Sequence, residues 1–229
     1  MGEGLEVKNS YQSLIINGTF KNLCLLKKVP LTSFASATVS ARSQPWTVNS
    51  SMANLTRYTI GELSDNEYLV GLGGSVDDIV KKVGLTHPKN TPERYTAVDV
   101  YDGGDASKIT VYIFGVDTSK TSSTSGLQVF DSDGNCVFDS EKKYLRVIDG
   151  SISFGDSMGS PTNTAKSYCF ITCPARSLVN SKEWTDFQTF FVKSGNSVYA
   201  GWHANQGLIA VEVSMVQGYY GLIADVTGY

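Results

Sequence analysis

Few residues in this chain of 229 have the type and spacing to do chemistry. The only histidines are His87 and His203. His203 follows Trp202 near the end of a predicted strand, where an imidazole titrating near neutrality would serve as a base, or equally would be an edge histidine packed on an aromatic ring. His87 precedes Pro88 in a loop without chemical context. Gly155-Asp156-Ser157-Met158-Gly159 has the Gly-x-Ser-x-Gly order of a hydrolase nucleophile. That motif needs a strand before the serine and a helix after it, and the flanks here read as a Gly/Ser loop. The run Gly71-Leu72-Gly73-Gly74 precedes a predicted helix but lacks the lysine and spacing of a phosphate loop, so a tight turn is expected.

Asp131, Asp133, Asn135 and Asp139 gather hard oxygen ligands suited to calcium, yet their spacing is not that of an EF-hand and a hairpin turn calls for the same residues. Asp99-Val100-Tyr101-Asp102-Gly103-Gly104-Asp105 likewise reads as a strand end and turn. Cys24, Cys136, Cys169 and Cys173 are too scattered for a disulfide framework. Cys169 and Cys173 fall on one face of a single predicted strand, whereas zinc ligands more often flank a tight turn, so buried free thiols are expected. No catalytic residue, metal or cofactor is expected.

Aromatic residues are the larger surplus. Tyr199, Trp202, Tyr219, Tyr220 and Tyr229 gather near the end of the sequence, and the first four form a possible binding surface. On a β scaffold such side chains build a core, a subunit interface or a face on which sugars stack.

The elements that would position these groups follow from an internal repeat. Residues 4–25 and 126–147 align without a gap, starting 122 residues apart, with Gly4, Leu5, Val7, Ser10, Lys21 and Leu23 matching Gly126, Leu127, Val129, Ser132, Lys143 and Leu145. Each copy has the grammar of a hairpin followed by a further strand, and Asp131-Ser132-Asp133-Gly134 supplies the second copy's turn. The first copy has Gln12 where Gly134 stands, so its turn should differ. The Ser/Thr run at 118–125 reads as a linker or exposed loop. The fold class expected is mainly β: two related antiparallel sandwich or barrel modules, 1–120 and 121–229. A short helix, Ser75–Val83, belongs to the first, with Ser75 as cap and Asp77 and Asp78 in its first turn. Strands are expected at Ile109–Val116 and, in the second module, at Tyr144–Ile152, Ser167–Cys173, Phe187–Lys193, Ser197–His203, Gly207–Ser214 and Tyr219–Val226, the last three as a meander.

The formal net charge is −3 with dispersed lysines and arginines, which argues against nucleic acid as a partner. No run approaches 18 apolar residues and the first residues have no cationic or apolar leader, so a protein made in a cytoplasm without membrane insertion is expected.

The two hairpin openings carry a resemblance. Gly4-Leu5-Glu6-Val7-Lys8-Asn9, Phe20-Lys21-Asn22-Leu23-Cys24-Leu25 and Gly126-Leu127-Gln128-Val129-Phe130-Asp131 resemble the duplicated motif of small structural proteins encoded among the tail genes of tailed bacteriophages. The resemblance covers about 45 of the 229 residues, and its motifs are structural, so no site transfers with it. It implies a non-enzymatic virion protein at the tail or its distal tip, acting in assembly or host contact as a homo-oligomer with other tail proteins as partners. A host receptor or glycan is a further possible partner. The alternatives from other classes are a carbohydrate- or receptor-binding β module, a capsid decoration protein, and an envelope hydrolase.

Overall fold

The computed structural model describes residues 7–8, 15–16, 21–41, 53–80, 82–88, 97–101, 103–121, 125–151, 157–172, 186–194, 196–205, 216–219 and 221–229. Its strands run, in chain order, β1 Val7–Lys8, β2 Ile15–Ile16, β3 Cys24–Pro30, β4 Ala35–Ala41, β5 Ala53–Thr59, β6 Glu67–Gly73, β7 Val83–Pro88, β8 Ala97–Tyr101 and β9 Thr110–Gly115. The second half continues with β10 Gln128–Phe130, β11 Cys136–Asp139, β12 Val147–Ser151, β13 Met158–Gly159, β14 Tyr168–Thr172, β15 Asp186–Ser194, β16 Ser197–Asn205, β17 Val216–Tyr219 and β18 Gly221–Asp225. The one α-helix among the described residues is α1, Val76–Ile79. The protein is therefore mainly β, and every strand pairing described is antiparallel.

Two large sheets form the body. One has six strands in the order β12-β18-β14-β6-β9-β3; the other has eight, β13-β16-β15-β7-β8-β5-β4 with β17 also on β16. Both contain strands from each half of the sequence. The expected modules 1–120 and 121–229 each supply a contiguous block of both sheets. In the six-stranded sheet β14 pairs with β6, and in the eight-stranded sheet β15 pairs with β7. The reason is burial: β6 and β7 carry apolar residues whose edges, left unpaired, would expose a row of amide groups beside a hydrophobic face.

The duplication does survive, as a local two-fold axis. The six-stranded order reads the same from either edge: the strand after the hairpin, then the last strand of that half, then the strand that meets its counterpart at the centre. Gly71 and Ile171 lie opposite each other there. The two edge strands carry a bulge at matching places, between Leu25 and Lys27 in β3 and between Val147 and Asp149 in β12, so the structural repeat continues past the aligned sequence. Where the sequence repeats converge they touch. Cys24 bridges to Tyr144, with Leu25 N donating to Lys143 O at 2.7 Å and Leu145 N to Leu23 O at 2.9 Å. The start of edge strand β3 thus bonds the segment that leads into the other edge strand, β12.

Side-chain alternation explains the continuous apolar runs. In β9, Val111 and Ile113 enter the core between the sheets, while Tyr112 and Phe114 enter a second core on the opposite face. β14 divides in the same way, with Phe170 in the first core and Cys169 and Ile171 in the second; in β18, Ile223 joins the first and Ala224 the second. A strand buried on both faces has no polar alternation to show. On the eight-stranded sheet, fully buried Asp99 takes two hydrogen bonds from Arg57, at 2.7 and 2.8 Å, and one from Thr86 Oγ1 at 2.8 Å, tying β5, β7 and β8 together.

Several local expectations change. The helix is a single turn: Ser75 caps it by accepting from Asp78 N at 3.2 Å, but Val80 is already extended and Val83 opens β7, where β-branched residues fit the pleat better. Gly71 and Gly73 are strand residues of β6, not a turn, because side chains packed across them leave no room for a Cβ. The closing segment is no meander, since β18 leaves the eight-stranded sheet and inserts between β12 and β14. The expected strand at 207–214 lies outside the described residues, and His87, expected in a loop, belongs to β7.

Candidate functional site

The second hairpin is the better described of the two. Asp131 Oδ1 accepts from Asp133 N at 3.0 Å and Asn135 N at 2.8 Å, and Gly134 takes φ +83°, so these residues make the turn. Hydrogen bonding from Asn135 and Asp133 lowers the Asp131 pKa. Gln12 in the first copy is poorly suited to that backbone region, and the hairpins differ accordingly: Lys8 lies opposite Ile15, whereas the matching Phe130 pairs past a bulge with Cys136. Val7 opposite Ile16 and Val129 opposite Phe138 are equivalent pairs.

Asp139 is a second centre, distinct from the turn. It is 1% exposed, and its carboxylate accepts from Thr121 N and Thr121 Oγ1, both at 2.9 Å, from Gln128 Nε2 at 2.8 Å and from Glu141 N at 3.0 Å. Burial alone would raise its pKa; these donors outweigh burial and bring it to about 2. Tyr144 stacks on Phe138 at 5.0 Å, and burial pushes its hydroxyl up to about 12. Asp131 and Asp139 each spend their oxygens on N–H and O–H donors, and among the described residues no three His, Cys, Asp or Glu side chains converge as a metal site would need. Cys24, Cys136 and Cys169 are free and buried, and burial raises each thiol pKa; Cys173 lies outside the described residues.

The Ser/Thr run is tethered where it is described. Thr118 O accepts from Cys136 N at 3.2 Å, and Lys142 Nζ donates to Asp117 O at 2.6 Å and to Ser119 O. It is therefore not a free linker over 118–121: the buried Asp139 and the Lys142 ammonium, only 8% exposed, need its backbone and hydroxyls as partners. Lys142→Met should release this stretch, with trypsin cutting after Lys120 about tenfold faster than in the parent. An unchanged cleavage rate would count against the tether.

Leu127 and Phe130 of the same hairpin are 47% and 43% exposed, a small apolar surface beside the repeat. Of the aromatic residues expected to form a binding surface, Tyr199 is half-buried on β16, next to the fully buried Val198 and Ala200. The backbones of Trp202 and Tyr219 lie on adjacent strands, Trp202 opposite Val216 and Tyr219 opposite Ala200; Tyr220 lies outside the described residues. Tyr229 joins the second core, its ring 6.5 Å from Phe114. Ser157 is exposed and leads into strand β13, so the helix that a nucleophile motif requires does not follow it.

A cleft that the sequence reading did not anticipate lies where the halves meet. It encloses about 450 Å³, within the range of small-molecule sites, and is lined by Gly73 to Val76, Lys108, Thr110 and Tyr112 from the first half and Pro161 to Thr164 and Lys166 to Tyr168 from the second. Its walls are held by their own hydrogen bonds. Asp105 Oδ1 accepts from Ser107 N at 3.0 Å, closing the turn that carries Lys108. Asn163 Oδ1 accepts from Ala165 N at 3.0 Å, Asn163 O accepts from Tyr168 OH at 3.2 Å, and Lys166 Nζ donates to Asp225 Oδ2 at 2.8 Å. Burial raises the Asp225 pKa, but Lys166 and Thr227 override it and hold the group at about 2. The polar side chains that line the cleft are hydroxyl, amide, lysine and tyrosine groups, with no His, Cys or carboxylate among them. In the sequence the run Gly71-Leu72-Gly73-Gly74, whose last two residues line the cleft, reads as a tight turn, and Ser75 as a helix cap.

No family model, curated protein or solved structure matches the chain. Among the described residues no helix is long and apolar enough to cross a membrane.

Proposed function

We propose that this chain is a non-enzymatic structural protein of a tailed-bacteriophage virion, placed at the tail or its distal tip, where it joins other tail proteins as an assembly or host-contact component. The observation that carries the reading is the duplicated hairpin. Both copies bear the motif that resembles tail-associated proteins, both fold as two-stranded units, and their following segments cross in a single antiparallel bridge. Support comes also from how the buried carboxylates are used: Asp99 and Asp139 each bind several donors from neighbouring segments and hold the chain together. The exposed Leu127 and Phe130 give the second hairpin an apolar contact surface, and repeated contacts of this kind are how symmetric virion assemblies form, so a homo-oligomer is proposed.

Immunogold labelling of particles from the native lysate with an antibody to this chain tests the proposal. Label at the tail is the expected result. Label on the head would make the chain a capsid decoration protein, and particles without label would overturn the virion reading.

A further inference from the structure

We propose that the cleft between the two halves binds an uncharged saccharide unit. The inference goes beyond the structural role and does not depend on where in a particle the chain sits. It rests on the cleft's shape, its lining and its charge balance.

The lining is rich in hydroxyl and amide groups. Thr110, Thr162, Asn163, Thr164 and Ser167 each carry one, Ser75 is committed to Asp78 at the helix cap, and Val76 and Pro161 are the only aliphatic side chains around the cleft. The hydroxyl and amide groups are set among C–H surface, so a wholly apolar ligand would leave the polar groups without partners and a wholly polar one would leave the C–H surface uncovered. Such a lining suits a ligand that offers donors and acceptors all round, as a pyranose does. The half-buried Tyr168 ring, packed against the main core and steadied through Asn163, adds an aromatic surface of the type on which the C–H face of a sugar rests.

Charge pairing disfavours the other polar class. Lys108 lies 3.8 Å from Asp78 and 3.9 Å from Asp105, and Lys166 is bound to Asp225 at 2.8 Å. Asp225 is shared with Arg146 at 3.5 Å, so three carboxylates balance three cations around the cleft, leaving little surplus positive charge to draw in a phosphate or a carboxylate. Both walls are preorganised by bonds within the protein, so ordering them on binding costs little.

The test is titration of the full ¹⁵N-labelled chain with methyl glycosides of glucose, galactose, rhamnose and N-acetylglucosamine, with inorganic phosphate as the anionic probe. At least one glycoside is expected to shift the amides of Gly73 to Val76 and Thr162 to Tyr168 with a Kd of about 1 mM, as befits a single sugar. Thr110→Val and Thr162→Val, which remove cleft hydroxyls while keeping the branched shape, should each weaken binding several-fold and leave amide signals distant from the cleft in place. Saturation of all four glycosides without shifts in those segments, binding unaffected by both variants, or phosphate binding there more tightly than any glycoside would overturn the proposal. None of these results bears on particle labelling, so the two proposals fail separately.

Discussion

Gly71→Ala should lower the stability of the protein by about 3 kcal/mol, the upper end of what overpacking a core costs. Gly71 sits at the local two-fold axis, opposite Ile171, in the centre of the six-stranded sheet. A Cβ there would overlap Cys169 Sγ and lie 2.9 Å from Ile171 Cγ1, and both neighbours are fully buried. Neither side chain has a free volume to retreat into, because Cys169 and Ile171 share the second core with Tyr112, Phe114 and Ala224. The effect should appear as a fall of roughly 6 to 12 °C in Tm for a chain of this size. Cys169→Ala removes the sulfur and by itself leaves a small cavity. The double variant should therefore be more stable than the sum of the single losses predicts, with a coupling of about 1 to 2 kcal/mol, while the 2.9 Å approach to Ile171 keeps the rescue partial. A Gly71→Ala protein that unfolds within about 0.5 kcal/mol of the parent would show that the two halves are not closed against each other at this point.

Asp139→Ala should cost about 3 kcal/mol near neutral pH, since it strips Thr121, Gln128 and Glu141 of their shared acceptor in a site almost closed to water. Its dependence on pH identifies the mechanism. The folded pKa of about 2 lies below the unfolded value of about 3.9, so the carboxylate's contribution is fully present above pH ~4 and is lost as pH falls towards 2. Asp225 is depressed in the same way through Lys166 and Thr227, and the two groups together should give the parent an acid-induced loss of about 2 kcal/mol each. Denaturant unfolding at pH 7, 4 and 2.5 would separate them. The difference between Asp139→Ala and the parent should shrink by most of that amount between pH 4 and 2.5. A constant difference across the range would mean that the carboxylate is not the acceptor that holds 121 and 128 in place.

The sequence was most readable where one polar pattern had one structural meaning. Asp131 and Gly134 announced a turn because only a turn satisfies both at once, and the hairpins formed where the repeat predicted them. The strands at 110–115, 168–172 and 186–194 were equally plain from their apolar and β-branched content. What the residues did not reveal was which strands pair. The run around Tyr168 to Thr172 reads alike whether its neighbour is nearby in sequence or, as found, on the other half of the chain at Gly71 and Leu72. Hydrophobic pattern fixes which faces are buried but leaves the partner open. The cleft was illegible for a related cause. Thr110 and Thr162 are ordinary residues in sequence, and only the meeting of the halves sets them across one space.

That interlocking has a consequence for how the chain must be made. β6 and β7 find their central partners, β14 and β15, only after another hundred or so residues have been synthesised, which at cellular rates of translation takes roughly 5 to 20 s. Through that interval the first half holds two sticky, unfinished edges. Because β6 holds in the first half the place that β14 holds in the second, the nearest substitute for β14 is another nascent chain of the same kind. An isolated fragment ending near residue 120 would thus be expected to associate with its own copies through β6 and β7. Seen in this way, the fold is that of an obligate pair of subunits fused in tandem, in which the covalent join raises the effective concentration of the correct partner and protects against the wrong one.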